Sequence, residues 1–248
     1  MPALTSASAP LSALAASDPV MAQLIDAVGP WELRADRSRG LFGYLVHAIA
    51  HQQLTGLVAK RILERLDERC DAQATPERIL ALRDGELRKV GFSRAKTLAL
   101  KDLAAHSLAG TLPDDDAIDD ESDDGIIVSL SRVRGIGPWT AQMLLIFHLG
   151  RPDVLPVLDY GVCAGFRLAY GLRRLPRPKA LAQYGRRWQP YRSYAAWYLW
   201  RAVELARENR LPAPALRVRV QQQPAKRPRK VPGRKSSVSA RRAARARK

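Results

Sequence analysis

A short turn between two helical segments constrains the fold of this chain more than any other feature. Residues 130–141 read LSRVRGIGPWTA, in which Gly135 and Gly137 stand two positions apart and Pro138 follows. Glycine permits a tight turn and the close approach of a ligand to the backbone, and proline suits the first position of a helix. The N–H groups at the start of that helix can bind an anion such as phosphate. A plain corner between two helices is the alternative interpretation.

The rest of the chain also predicts helices. Apolar residues recur at helical spacing along residues 41–50, and the patterns that follow have the same period. Thr75 before Pro76 is a typical helix start, and Ser93 can cap a further helix. Because no segment alternates convincingly between apolar and polar residues, we expect an all-α fold of about nine or ten short helices around one core.

Composition marks both ends of the chain. Residues 1–17 are rich in Ala, Ser and Pro, which predicts a flexible N-terminus before a domain over 18–212, with the helix pair at about 126–149. Residues 215–248 contain thirteen Lys and Arg and no acidic residue, within a chain of net charge +17. We therefore expect a basic, disordered tail over 213–248 that attracts nucleic-acid phosphates. A solvated extension without that function is the alternative.

Several classes of protein are disfavoured. Cys70 and Cys163 stand alone, which argues against a disulfide framework and against zinc or iron–sulfur sites. No apolar run reaches the roughly 20 residues of a membrane span, and the start of the chain does not resemble a secretory signal. We expect a cytoplasmic, nucleoid-associated monomer. Residues 114–124 include eight Asp or Glu, and an exposed acidic loop is favoured there over a Mg²⁺ site.

Asp159 lies twenty-two residues after Gly137, within the sequence PVLDY of residues 156–160. A carboxylate can stabilise the positive charge that develops on a sugar as its glycosidic bond breaks, and it can orient or deprotonate water. An Asp that opens an apolar helix is also an ordinary N-cap. Both interpretations are open on the residue type alone.

Three segments together resemble a known family. The string GIGPWTA of residues 135–141 resembles the hairpin of the helix-hairpin-helix (HhH-GPD) DNA glycosylases. Residues 48–54, AIAHQQL, and residues 188–200, WQPYRSYAAWYLW, resemble two elements of the DNA-3-methyladenine glycosylase II branch. The resemblance covers about residues 35–210. It implies a compact, two-lobed, all-α HhH-GPD fold with a DNA and lesion cleft between the lobes and no N-terminal β domain.

The resemblance also implies how the hairpin binds DNA. Amides around Gly135 and Gly137, with the hydroxyl of Thr140, would bind a phosphate. A monovalent cation, Na⁺ or K⁺, would bind to three backbone carbonyls of the hairpin, those of Ser131, Val133 and Ile136. No other cofactor is expected. Many relatives have proline where this chain has Arg134, and we expect little from that change beyond an added positive charge near DNA.

The same resemblance implies a reaction. Asp159 matches the essential carboxylate of the family, and Trp139 stands where bifunctional relatives have the lysine that forms a Schiff base. Leu158, before Asp159, replaces the Asp or Gly of many relatives. The expected enzyme is a monofunctional glycosylase that flips alkylated purines of the 3-methyladenine and 7-methylguanine type out of double-stranded DNA. It would hydrolyse the N-glycosidic bond and so begin base-excision repair.

The implied pocket is aromatic, because aromatic faces attract cationic alkylated bases. It would be formed by Trp139, Tyr160, Trp200 and Met143. Gln53 and Leu54 are candidates to occupy the gap left by a flipped base, although glutamines here can instead brace neighbouring backbone.

Three other functions are open. The chain could be a DNA-binding protein that kept the hairpin and lost catalysis, a glycosylase for deaminated or etheno purines, or a protein whose hairpin docks another protein.

Overall fold

The computed structural model describes residues 8–216 and 218–224. Within them the chain forms twelve α-helices, more than the nine or ten that were predicted, and one 3-10 turn, and the predicted all-α fold is confirmed. The helices are α1 (Ser8–Ser17), α2 (Pro19–Val28), α3 (Gly40–His51), α4 (Gly56–Arg69), α5 (Pro76–Ala81), α6 (Asp84–Val90), α7 (Arg94–Leu108), α8 (Asp123–Leu130), α9 (Pro138–Phe147), α10 (Tyr160–Ala169), α11 (Pro178–Tyr184) and α12 (Arg192–Arg207), with the 3-10 turn at Gly185–Trp188.

The apolar residues form two clusters instead of the one core predicted from the helical pattern, in keeping with the two lobes that the family resemblance implies. The first cluster lies between residues 41 and 154 and joins α3 to α9. The second joins α1 and α2 to residues 155–202, which include α10 and α12. Leu33 and Trp200 pack against both clusters. The chain therefore passes from one lobe to the other just before Asp159.

The N-terminal segment differs from the expectation of a flexible end at 1–17. Residues Ser8–Ser17 are helical, and Leu14 is almost completely buried. Asp18 follows, also buried, and its carboxylate accepts bonds from the Tyr170 hydroxyl (2.7 Å) and the Trp188 indole (3.0 Å). Because this segment is rich in Ala and Ser, its sequence gives little sign of the apolar face that packs against the second lobe. Residues 1–7 lie outside the described part of the chain.

The acidic loop is anchored to its surroundings. Ile118 is buried, and the Arg151 guanidinium donates to the backbone carbonyl of Ile118 at 2.9 Å. Asp119 pairs with Arg37, and Asp115 accepts the N–H of Leu41 at 2.7 Å, at the start of α3. These carboxylates bind protein donors, so the loop orders the beginning of α3.

The tail also begins in an ordered way. Instead of leaving the fold at residue 213, the chain returns to the second lobe, where Val218 and Val220 pack against its apolar cluster. Gln222 pairs with Pro176 in an isolated antiparallel bridge. Residues 225–248, most of the predicted tail, lie outside the described part. Among the described helices, none is both long and apolar enough to cross a membrane.

Candidate active site

The hairpin turn joins α8 to α9. Gly135 has φ +79°, a backbone conformation that favours glycine, and Pro138 occupies the first turn of α9 as predicted. Two bonds fix the turn to other elements. The Arg134 N–H donates to the Asp102 carboxylate of α7 at 2.7 Å, and Gln52 Nε2 donates to the Gly135 carbonyl at 2.8 Å.

The start of α9 faces outward without a protein cap. Gly137 is the N-cap residue, and no side chain accepts a bond from the first turn. An uncapped turn has N–H groups that an anion can bind. Thr140, in the same turn, is buried and lines a cavity behind the hairpin. The predicted cation site on this hairpin stays a prediction, and one of its three carbonyls, that of Val133, already accepts the Ile136 N–H at 3.1 Å.

The Asp159 carboxylate lies between the two lobes, where it contacts α9 of the first lobe and α10 and α12 of the second. Oδ1 accepts the Val162 N–H at 2.8 Å, so Asp159 is the N-cap of α10. Oδ1 also accepts the Trp200 indole N–H at 2.8 Å, and Oδ2 accepts the Trp139 indole N–H at 2.8 Å. A carboxylate offers about four acceptor positions, of which these bonds use three. The capping interpretation is correct, and Oδ2 still has a position for another partner.

Close packing of α10 against α12 brings Trp200 to this carboxylate. A Cβ on Gly165 would lie 1.9 Å from the Leu199 carbonyl oxygen, and a Cβ on Gly161 would lie 2.7 Å from Cδ1 of Trp200. Neither position can hold a larger residue without a shift of its neighbour. The two glycines therefore let the helices approach until the indole N–H reaches Asp159.

A cavity of about 850 Å³ opens beside the hairpin, within the range of about 300–1,000 Å³ that is typical of small-molecule sites. Trp139 separates it from Asp159, because its ring lines the cavity while its N–H binds the carboxylate. The lining residues come from α3, the turn after it, the hairpin turn and α9: Tyr44, His47, Ala48, His51, Gln52, Gln53, Gly135, Trp139, Thr140, Met143 and Phe147.

The structure brings together some of the predicted pocket residues and separates others. Trp139 and Met143 line the cavity. Trp200 lies behind the wall, stacked on Phe147 with ring centroids 5.5 Å apart. Tyr160 does not line the cavity, and its side chain is 75% exposed. Tyr160 is the first residue of α10 and follows the N-cap residue Asp159. The hydrogen bonds of the Asp159 carboxylate to Val162 and Trp200 orient the start of this helix, and the Tyr160 ring takes no part in them.

The turn between α3 and α4 forms one rim of the cavity. Gln53 has φ +57°, a left-handed conformation that is uncommon outside glycine. Leu54 is 39% exposed, and Leu57 and Val58 nearby are also exposed. Gln52 braces the hairpin, in accord with the bracing alternative, whereas Gln53 and Leu54 lie at the exposed tip.

Two polar groups on α3 are uncharged near neutral pH. Burial raises the pKa of the Tyr44 phenol to about 12. Burial, followed by the charges of Arg39 and His51, lowers the pKa of the His47 imidazole from 6.5 to about 4. Both side chains can form hydrogen bonds without adding charge to the cavity wall.

Three residues of the cavity wall, Tyr44, His47 and Phe147, were not predicted as site residues from the sequence. A signal was present, because Tyr44, His47 and His51 share a helical face opposite the apolar residues of α3. That face could only be assigned to a cavity once α3 was known to pack beside the hairpin.

The chain is similar to known DNA repair proteins. Residues 46–190 match the family model described as "HhH-GPD superfamily base excision DNA repair protein". A curated relative is DNA-3-methyladenine glycosylase 1 of Schizosaccharomyces pombe, which is 34% identical over 65% of this chain and 72% of its own length. The structure of the S. pombe 3-methyladenine DNA glycosylase Mag1 in complex with abasic DNA is similar, with a TM-score of 0.70 and 32% identity over 80% of this chain and 98% of that chain. A DNA-3-methyladenine glycosidase structure from Bacillus halodurans is also similar, with a TM-score of 0.73 and 32% identity over 81% of this chain and 92% of that chain.

Proposed function

This chain belongs to the HhH-GPD superfamily of base excision DNA repair proteins, and we propose that it is a monofunctional glycosylase for alkylated purines in duplex DNA. The observation that carries the proposal is the position of Asp159. Its carboxylate is bound by the indole N–H of Trp139, and the ring of the same tryptophan lines the large cavity. Trp139 therefore connects the cavity, which can hold a base, with the Asp159 carboxylate, which can act on the sugar of that base.

The hairpin supplies the DNA contact in this proposal. The uncapped start of α9 after Gly137 would bind a phosphate of the lesion strand. Gln52 and Asp102 hold the turn from two sides, so the position of the bound phosphate is fixed relative to α3 and α7. Gln53 and Leu54, at the exposed tip of the α3–α4 turn, would occupy the space left by the extruded nucleotide.

The flipped base would enter the cavity between Trp139 and the polar face of α3. A 3- or 7-alkylated purine is cationic, and aromatic faces attract cations. Because Tyr44 and His47 are uncharged near neutral pH, these two side chains would not repel such a base. The cavity thus fits an electron-poor base that stacks on Trp139.

Bond cleavage follows from the charge that develops on the sugar. The C1′–N bond breaks and its electron pair leaves with the purine, which turns a cationic base into a neutral one. The remaining oxocarbenium-like sugar would be stabilised by the negative charge of Asp159, whose Oδ2 keeps a free acceptor position. The oxygen of a water then bonds to C1′, and one proton of that water passes to Asp159 or to solvent.

Strand cleavage is not part of the proposal. A lyase needs an amine that attacks C1′ and forms a Schiff base. Trp139 occupies the position of that amine, and the residues that line the cavity include no lysine. The products are therefore a free base and an intact strand with an abasic site. The proposal places this reaction in the cytoplasm with the nucleoid, performed by a monomer that uses no cofactor in the chemical step.

Mass spectrometry of the bases released from alkylated duplex DNA tests the proposal. The expected products are 3-methyladenine and 7-methylguanine. Release of hypoxanthine or ethenoadenine alone would reassign the lesion class. Binding to the duplex without release of any base would identify a DNA-binding protein without catalysis.

A further inference from the structure

The charges of the folded part are distributed unevenly between its two lobes. Residues 160–203 contain nine Lys and Arg and no Asp or Glu, whereas residues 1–159 contain more acidic than basic residues. The positive charge is thus not confined to the tail. It extends over the segment that forms α10, α11 and α12 of the second lobe.

Five of these cations form an exposed group around α11, which we call the second basic surface: Arg173, Arg174, Arg177, Lys179 and Arg186. None of the five side chains has an ion-pair partner within residues 8–216 and 218–224. Two neighbouring cations do have partners. Arg192 forms a two-bond pair with Asp153 at 2.7 and 2.9 Å, and the Arg187 guanidinium lies 3.8 Å from the Tyr184 ring centre. The second basic surface therefore has uncompensated charge.

The surface includes a depression that suits an anionic ligand. A cavity of about 520 Å³ is lined by Lys179, Arg186 and Arg192 together with Gln183 and Gln189. Every one of these side chains offers N–H donors to phosphate oxygens. The cations are spread along α11 and its flanks and do not converge on one point, which favours an extended polyanion over a small ion.

The returning C-terminal segment is fixed to the same place. The Arg177 N–H donates to the Gln221 carbonyl and the Gln223 N–H to the Leu175 carbonyl, both at 2.8 Å. The Arg174 N–H donates to the Gln222 side chain at 2.8 Å. In the sequence, the eleven cations of residues 225–248 follow directly after this anchored segment.

One helix connects the depression of this surface with the candidate site, because Arg192 lines the depression and Trp200 lies beside Asp159. Arg192 and Trp200 are eight residues apart on α12, about 12 Å at 1.5 Å per residue, and Trp200 contacts Asp159 directly. Such a distance corresponds to about four base pairs of DNA at 3.4 Å each. A duplex that extends more than about four base pairs past the lesion in the direction of Arg192 would meet the surface.

We propose that the second basic surface, with the anchored start of the tail, binds phosphates of the duplex that flanks the lesion on one side. The proposal rests on DNA binding in the proposed function. The second basic surface would add phosphate contacts on only one side of the lesion, because the surface lies on one lobe only.

Binding to two duplexes of opposite polarity tests this inference. Each has about 25 base pairs and an abasic-site analogue, placed about two base pairs from one end or from the other, so that the short arm ends before the surface and only one duplex reaches it. The double variant Lys179→Ser/Arg186→Ser should bind that duplex about tenfold more weakly, with a shallower salt dependence by about two phosphate contacts. Its affinity for the other duplex should match that of the wild type. The charge reversal Lys179→Glu/Arg186→Glu should enlarge the same asymmetric loss.

The control is Arg88→Ser/Lys89→Ser, which removes two exposed cations from α6 in the first lobe. It changes the net charge equally and should leave both affinities unchanged. Equal losses for both duplexes, or no loss for either, would overturn the second basic surface as a DNA contact. If the wild type itself binds neither duplex, the proposed function fails. This result differs from equal losses for both duplexes, which would overturn only the second basic surface.

Discussion

Trp139 connects the two halves of the candidate site through a single side chain. Its ring lines the cavity and its indole N–H binds Asp159 Oδ2 at 2.8 Å. A phenylalanine keeps an aromatic wall and loses the hydrogen bond. The two contributions of Trp139 can therefore be separated by one substitution.

The variant Trp139→Phe should lower the single-turnover rate of base release about tenfold and leave DNA affinity nearly unchanged. The reason is that a hydrogen bond to a charged group contributes roughly 1.5–3 kcal/mol, reduced here because Trp139 is partly exposed. Trp31→Phe makes the same change at a tryptophan whose ring packs at a tilt against Tyr194, away from the cavity lining, and should retain the wild-type rate. Equal rates of base release for both variants would show that the Trp139 hydrogen bond does not position Asp159 for the reaction.

His47 gives the cavity a measurable pH signature. Its folded pKa of about 4 is below the value of 6.5 for a free imidazole, so the unfolded chain binds a proton between these two values while the folded protein does not. The contribution of His47 to the free energy of unfolding is therefore fully present above pH 6.5 and is lost as the pH falls toward 4. The loss should be only about 1 kcal/mol, because the imidazole is half-buried and solvent screens it.

NMR titration of the histidine ring protons measures this pKa directly. The resonance that disappears in His47→Asn should titrate with a midpoint near the value of about 4. A midpoint near 6.5 would contradict a neutral, desolvated His47 in the cavity wall.

At the scale of helices, the site depends on how closely α10 packs against α12. Gly165 permits this contact, since a Cβ there would overlap the Leu199 carbonyl. The substitution Gly165→Ala should lower the free energy of unfolding by about 3 kcal/mol. It should also reduce base release, because α10 begins at Asp159 and its displacement moves the carboxylate.

Thermal or denaturant unfolding checks this expectation against Gly56→Ala. A Cβ at Gly56 meets no atom within 4 Å, and that change should alter stability by less than about 1 kcal/mol. Equal stabilities of the two variants would show that α10 and α12 do not need the close contact.

Helix starts with local signals were predicted well from sequence. Thr75 and Ser93 cap α5 and α7, and Pro138 lies in the first turn of α9. Each signal acts within one turn of backbone, so no tertiary information is needed. The helix at Ser8–Ser17 was missed because its Ala-rich sequence has a weak pattern, and its burial depends on the distant second lobe.

The candidate site was only partly predictable for the same reason. Asp159 and Trp139 belong to a recognisable motif, and the structure brings them into contact. His47 belongs to no motif, and its neutral state arises from packing and from nearby charges. Tyr160 follows Asp159 in sequence, yet it is exposed, because adjacent residues at a helix start point in different directions.

For the whole molecule, the basic C-terminus should govern affinity more than catalysis. Deleting residues 225–248 removes eleven cations and leaves the anchored segment 221–223 in place. Affinity for duplex DNA should fall and its dependence on salt should become shallower, since fewer counterions are released on binding. Binding isotherms over a range of salt concentrations measure both quantities. An unchanged slope would mean that these residues make no contact with phosphate.

In the proposed reaction, Asp159, where the two lobes meet, acts on the sugar of a base held beside Trp139. The most direct test is single-turnover base release by Asp159→Asn from alkylated duplex DNA, measured alongside its affinity for a duplex with an abasic-site analogue. Asp124→Asn, at an exposed position of α8, is the matched control. We predict that Asp159→Asn retains its affinity and releases bases at least about 100-fold more slowly, while the control matches the wild type. Base release at a rate close to that of the wild type by Asp159→Asn would contradict the account.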